Sequence, residues 1–255
     1  MFTQVTERMY DNVLLQVYPN RAQMGEAAAR DAAECIRTLL KTHEQINCIF
    51  AAAPSQNEFL AALLRQEIEW GRINAYHMDE YVGFELGHPK SFNHFLSESI
   101  FDRVPFRSVH LINGANDPDE ETRRYGALLD AAPTHITFMG IGENGHIAFN
   151  DPPAADFQDA VPIKKVRLDE VCRAQQVHDG CFASLDEVPR YALTVTVPRL
   201  AASEHIFCIV PAASKHKATV AALTGPISEA CPASILRRTD NVRMYIDEDC
   251  AGDLI

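Results

Sequence analysis

The chain has no Cys-x-x-Cys pair, although it holds seven cysteines. Cys35, Cys48, Cys172, Cys181, Cys208, Cys231 and Cys250 are odd in number and widely scattered. That pattern argues against a disulfide framework and for a reducing compartment, the cytoplasm. Basic charge is scarce too. Lys and Arg total 23 against 35 Asp and Glu, a net charge of −12. A nucleic acid or an anionic membrane as main partner would demand a basic face, so both are excluded, whereas a local basic pocket for a small anion is not. No apolar run is long enough to span a bilayer. The N-terminus lacks the basic segment and apolar core of a signal peptide. With no internal repeat, low-complexity tract or linker, the 255 residues read as one domain.

What is present alternates between strand and helix patterns. Strands are expected at 13–18, 46–52, 73–78, 109–112, 135–139, 206–210 and 242–246, and a half-exposed one at 191–197, where apolar residues alternate with Thr. Helices are expected at 21–40 behind an Asn20 cap, after 54–57, at 92–101, at 119–131 behind Pro118, and at 215–223. Residues 152–189 look less regular and richer in charge, and could form a lid. Strands and helices in this order predict an α/β fold: an open, mostly parallel, twisted sheet with helices on both faces.

In such sheets ligands bind at the carboxyl ends of strands. Four expected strand ends carry polar groups: Ser55-Gln56-Asn57, Asp79-Glu80-Tyr81, Gly140-Ile141-Gly142-Glu143-Asn144-Gly145-His146, and Ser214-Lys215-His216-Lys217. Glycines straight after a strand let backbone N–H groups approach a ligand. His146 follows them, with Asp151 near enough in sequence to orient its ring. Ser55 has a hydroxyl at a strand-to-helix turn, and an anion bound at the start of the next helix would suit Lys215. Asp79 ends an apolar strand, where a partly desolvated carboxylate can shuttle protons. No metal is expected, because His77, Asp79, Glu80 and His146 form no tight motif such as His-Glu-x-x-His. A serine nucleophile is disfavoured by the absence of a Gly-x-Ser-x-Gly elbow.

At these residues the sequence resembles the glucosamine-6-phosphate deaminase (isomerase) family, which shares its fold with the 6-phosphogluconolactonases. Met78-Asp79-Glu80-Tyr81-Val82-Gly83 matches the segment around the family's proton-transfer aspartate. Gly140 to Pro152 matches the loop with its catalytic histidine, Tyr191-Ala192-Leu193-Thr194-Val195 a core strand, and Ser214-Lys215 the phosphate-binding lysine. The similarity runs from about residue 46 to 251. Three departures stand out. Asp151 replaces the usual glutamate. The phosphate loop reads Ala53-Pro54-Ser55-Gln56. The family's lid arginine has no clear counterpart, leaving His178 or Arg173 to stand in.

The resemblance implies a cofactor-free reaction on a 2-amino-2-deoxy sugar phosphate, with fructose 6-phosphate and ammonia as products. His146 would move the proton that opens the ring, oriented by Asp151 and Asn144. Asp79 would carry a proton between C2 and C1 through an enol-amine. Ser55, Gln56, Glu80, Gly142, Glu143, Gly145 and Lys215 are the expected substrate contacts. Self-association into a homo-oligomer is compatible with the sequence. The rivals are a lactonase using the same pocket and a sugar-phosphate sensor. Against the first, lactonases typically continue Gly-His-Thr-Ala-Ser where this chain has Gly-His-Ile-Ala-Phe. Against the second, the stretch before Val13 leaves no room for a DNA-binding helix-turn-helix.

Overall fold

The computed structural model describes residues 6–254. In chain order its elements are β1 (Thr6–Tyr10), β2 (Val13–Tyr18), α1 (Arg21–Leu39), β3 (Ile46–Phe50), α2 (Asn57–Leu63), β4 (Ile73–His77), β5 (Asp79–Tyr81), α3 (Phe92–Leu96), β6 (Ser108–His110), α4 (Pro118–Asp130) and β7 (Ile136–Met139). They continue with β8 (Ile163–Arg167), α5 (Glu170–His178), β9 (Tyr191–Val195), α6 (Val197–Ala201), β10 (His205–Val210), α7 (His216–Thr224), β11 (Val242–Asp247) and α8 (Glu248–Ala251).

Eight strands form the main sheet in the order β1-β2-β11-β10-β7-β3-β4-β6. All its pairs are parallel except β1 with β2. The central strands are apolar on both faces because both are covered. Phe50, Phe138, Phe207, Ile209 and Tyr245 pack with α1 and α2 on one side. Ile49, Met139, Cys208 and Met244 pack with Tyr125 and Leu129 of α4 and Ala218 and Ala222 of α7 on the other. The mostly parallel sheet with helices on both faces is therefore as expected from the sequence. Among the described residues no helix is long and apolar enough to cross a membrane.

The crevice of such a sheet lies where neighbouring strands send the chain in opposite directions. Here that point is between β3 and β7, which are hydrogen-bonded neighbours. After β3 the chain moves through α2 to β4 on one side. After β7 it leaves for the second sheet and returns as β10 on the other. The turn after β3 and the glycine loop after β7 thus open side by side.

Several expectations change. Asp79 does not end β4 but begins β5, which pairs antiparallel with β9, and β9 with β8, in a separate three-stranded sheet. Residues 192–195, expected to be half-exposed, are buried because β9 is the middle strand of that sheet. Thr194 earns its buried place by bonding: its hydroxyl accepts from Phe149 N at 3.0 Å and donates to Val195 O at 3.2 Å. The segment 152–189 is more regular than its composition suggested, since it contains β8 and α5. The helix expected from Lys215 starts at His216, after a 3₁₀ turn, Ala213–Lys215. The helix expected over 92–101 is α3 followed by a π turn, Ser97–Phe101. β1 had no counterpart in the sequence reading.

Candidate active site

One cavity collects groups from all four polar strand ends. Ser55 and Gln56, Asp79, Gly142 and His146, and Ser214 and Lys215 line it together. Helix α5 lies across it and contributes Gln175, Gln176 and, just beyond its end, Asp179.

The glycine loop sets the histidine. Gly142 N donates to His146 O at 2.9 Å, and Gly145 N to Gly142 O at 3.0 Å, which folds the loop back on itself. Gly145 has φ +84°, a left-handed conformation that favours glycine, and any Cβ there would meet Cys231 Sγ at 2.7 Å. His146 is 8% exposed. Its Nδ1 lies 2.8 Å from Asn144 Oδ1 and 3.0 Å from Asp151 Oδ1. Two oxygen acceptors at Nδ1 require a proton there, so neutral His146 keeps its lone pair on Nε2.

Asp151 is fully buried. Burial pushes its carboxyl up, but hydrogen bonds from His146, Asn144 Nδ2 (3.1 Å) and Asp169 N (3.2 Å) outweigh that and hold it below the usual carboxylate range. Cys172, on α5, is close by: burial and the charge of this carboxylate both push its thiol up. His146, Asp151 and Cys172 bring potential metal-ligand atoms within 4.8 Å of one another. In this arrangement His146 Nδ1 and the Asp151 carboxylate are spent on each other and on Asn144, which holds the ring in place.

Asp79 and its neighbour Glu80 diverge. Asp79 lines the cavity, and burial, aided by the nearby Glu80 charge, raises its carboxyl well above the ordinary range. Glu80, expected as a substrate contact, does not line the cavity. Successive strand residues point to opposite faces, and Glu80 is fully buried beneath the site. Its carboxylate accepts from Tyr81 N (2.9 Å), Phe92 N (3.2 Å), Asn93 N (2.9 Å) and Asn93 Nδ2 (2.7 Å), tying β5 to the start of α3. Burial pushes it to about 7, with those bonds pulling the other way.

Lys215 is 5% exposed, and its Nζ has no hydrogen-bond partner among the described residues. Burial lowers its proton affinity, while Asp179 and Glu143 raise it. Gln56 Nε2 donates to Ser55 Oγ (3.1 Å) and to Ile209 O (3.3 Å), so its amide fixes the serine hydroxyl.

Other expected contacts lie outside the cavity. Asn144 acts through His146 and Asp151. Gly145 shapes the turn. Glu143 gives its N–H to Gln175 Oε1 at 2.8 Å and sets its carboxylate 3.6 Å from His178 Nδ1. Neither stand-in for the lid arginine reaches the cavity. Arg173 Nη2 is bound to Leu185 O (2.6 Å) and Val188 O (3.0 Å), and the His178 side chain is 67% exposed. The cavity lining also includes charged and amide side chains that the sequence does not single out, Arg21, Gln175, Gln176 and Asp179. The last three belong to one stretch of α5 and its end, a helical grouping hidden in the irregular composition around it.

Comparison with known proteins places the chain in a family. Residues 19–245 match the family model described as glucosamine-6-phosphate isomerases/6-phosphogluconolactonase. Glucosamine-6-phosphate deaminases of Bacillus thuringiensis (strain Al Hakam) and Bacillus cereus (strain AH820) are each 32% identical over 225 residues, 88% of this chain and 84% of theirs. Among solved structures, a monomeric glucosamine-6-phosphate deaminase superposes with a TM-score of 0.84 at 28% identity, covering 93% of this chain and 98% of that one. The 6-phosphogluconolactonase of Thermotoga maritima, at 15% identity and a TM-score of 0.76 over 92% of this chain and 99% of that one, shares the fold.

Proposed function

The chain belongs to the glucosamine-6-phosphate isomerase/6-phosphogluconolactonase family, and we propose that within it this protein is a deaminase. It converts a 2-amino-2-deoxyhexose 6-phosphate and water to a ketose 6-phosphate, fructose 6-phosphate for the gluco sugar, and ammonia. Because water is consumed, the net reaction is hydrolytic. The observation that carries this reading is the presence, on one cavity, of His146 with a lone pair on Nε2 and of the buried Asp79 carboxyl, a base and a proton carrier facing the same space.

Each group has a step that suits it. His146 Nε2 takes the proton of the anomeric hydroxyl and returns it to the ring oxygen as the C1–O5 bond breaks. Asp151 stabilises the imidazolium that forms in between. The substrate's 2-ammonium, arriving beside Asp79, favours the carboxylate, and the proton that the carboxyl gives up goes to solvent. That carboxylate removes the C2 proton while the C1–C2 double bond forms and the C1 oxygen takes a proton from the 2-ammonium, which gives the enol-amine; Asp79 then delivers its proton to C1, leaving the C2 imine. Water adds to the resulting C2 imine, the C–N bond breaks and ammonia leaves. Ser55 and the ammonium of Lys215 hold the phosphate, which orients the reacting carbons. The segment 152–189 acts as the lid. The seven free thiols support a reducing compartment.

A lactonase would need His146 to activate water but would have no step for a carboxyl at the place of Asp79. The test is incubation with glucosamine 6-phosphate and, separately, galactosamine 6-phosphate, without added metal, following ammonia, with 6-phosphogluconolactone as a third substrate. Ammonia from an amino sugar and no lactone hydrolysis is expected. Lactone hydrolysis alone would replace the reading with the lactonase. Tight binding without product would replace it with a sensor.

A further inference from the structure

A phosphate dianion next to Lys215 meets a charge deficit. The lid turns Gln175, Gln176 and Asp179 toward the cavity, none of them cationic, and Asp179 acts electrostatically on Lys215 itself. Arg21 supplies a second cation from an unexpected direction. It is the first residue of α1, behind the Asn20 cap. Gly25, one turn later, lets α1 come close to α2: a Cβ there would lie 2.8 Å from the Cβ and backbone C of Glu58. That approach sets the start of α1 against the turn carrying Ser55.

Three bonds then fix the guanidinium. Nε donates to Glu58 Oε1 at 3.0 Å, and Nη2 donates to Glu58 Oε2 at 2.9 Å and to Pro54 O at 2.8 Å. Nη1 has no hydrogen-bond partner among the described residues, and the side chain lines the same cavity as Ser55 and Lys215. A guanidinium oriented by a carboxylate on one edge keeps another edge for an anion, with little further ordering required.

We propose that Arg21 is a phosphate-binding residue of this site, opposing Lys215 and filling the role left vacant by the lid. The proposal rests on the amino-sugar-phosphate reading of the cavity. The plain alternative is that Arg21 only ties α1 to α2 through Glu58.

The experiment compares wild type, Arg21→Gln, Arg21→Lys and Glu58→Gln by calorimetric titration with inorganic phosphate and by KM and kcat for glucosamine 6-phosphate. Arg21→Gln is expected to weaken phosphate binding and raise KM by about tenfold, with kcat changed less than threefold. Arg21→Lys should recover part of the loss. Glu58→Gln, which removes the carboxylate charge but leaves an amide oxygen and Pro54 O to orient the guanidinium, should change both by less than threefold. A loss below threefold in Arg21→Gln, or an equal loss in Glu58→Gln, overturns the proposal. So does a wild-type protein that binds no phosphate at millimolar concentration and releases no ammonia. Phosphate binding that depends on Arg21 in a protein that releases no ammonia keeps this inference and removes the deaminase reading.

Discussion

A Cβ on Gly142 would lie 2.1 Å from Cε1 and 2.2 Å from Nε2 of His146. The imidazole therefore rests on bare backbone, with Asn144 and Asp151 holding its Nδ1 from the other side. Gly142 is not in the left-handed region, so alanine fits the backbone there and the strain falls on the ring alone. Gly142→Ala should displace His146 by about an ångström and lower the rate of ammonia release by about a hundredfold. The melting temperature should stay within a few degrees of wild type. Steady-state rates within threefold of wild type would show that the ring does not depend on this contact.

The same contact shows how much could be read without coordinates. Four polar strand ends were legible because each interrupts an apolar run, and parallel topology then brings them to one edge. Which of Asp79 and Glu80 faces the cavity was not legible. Their chemistry is alike, and the choice depends on β5 pairing with β9 more than a hundred residues away. Arg21 was hidden for a similar reason, since its place follows from α1–α2 packing through Gly25. Helix α5 was obscured because its polar residues, which a solvated segment would also show, are used on the cavity.

Asp79 links activity to stability. Its folded-state carboxyl is raised by burial, so the folded protein binds more protons than the unfolded one above the ordinary Asp range. Stability from this group is present at low pH and is lost as pH rises toward the folded value. Glu80 acts in the same sense between about pH 4.5 and 7. Asp79→Asn removes the first contribution without changing shape. It should melt higher than wild type at pH 8 and within a degree or two of it at pH 4, while turnover falls by at least about a hundredfold. Parallel melting curves at both pH values, or retained turnover, would contradict the assignment.

Asp151 has the opposite sign. Burial raises its carboxyl, but its hydrogen bonds prevail and depress it. Its stabilisation is present at neutral pH and is lost as pH falls below the ordinary Asp value through the folded one. Asp151→Asn cannot satisfy His146 Nδ1, Asn144 Nδ2 and Asp169 N together, since half of an amide donates. Ammonia release should fall by about a hundredfold, and the difference in melting temperature from wild type should shrink as pH is lowered to 3. A gap that widens on acidification would reverse the sign argued here.

Lys215 gives the sharpest separation of fold from function. The residue is 5% exposed and no described residue hydrogen-bonds its Nζ, so removing this charge from bulk water costs stability that an apolar side chain would not. Methionine has a similar length and apolar character, so Lys215→Met should raise the melting temperature at pH 7 by a few degrees. Without the cation the phosphate loses a charge-assisted partner, and KM for the amino sugar phosphate should rise by about tenfold or more. Added phosphate should then protect the wild type against heat more than the variant, because only an anion-binding fold gains stability from the anion. If Lys215→Met melts lower than wild type, the ammonium is satisfied in solution and is not held in reserve for a ligand. If it melts higher but KM is unchanged, the anion sits elsewhere in the cavity.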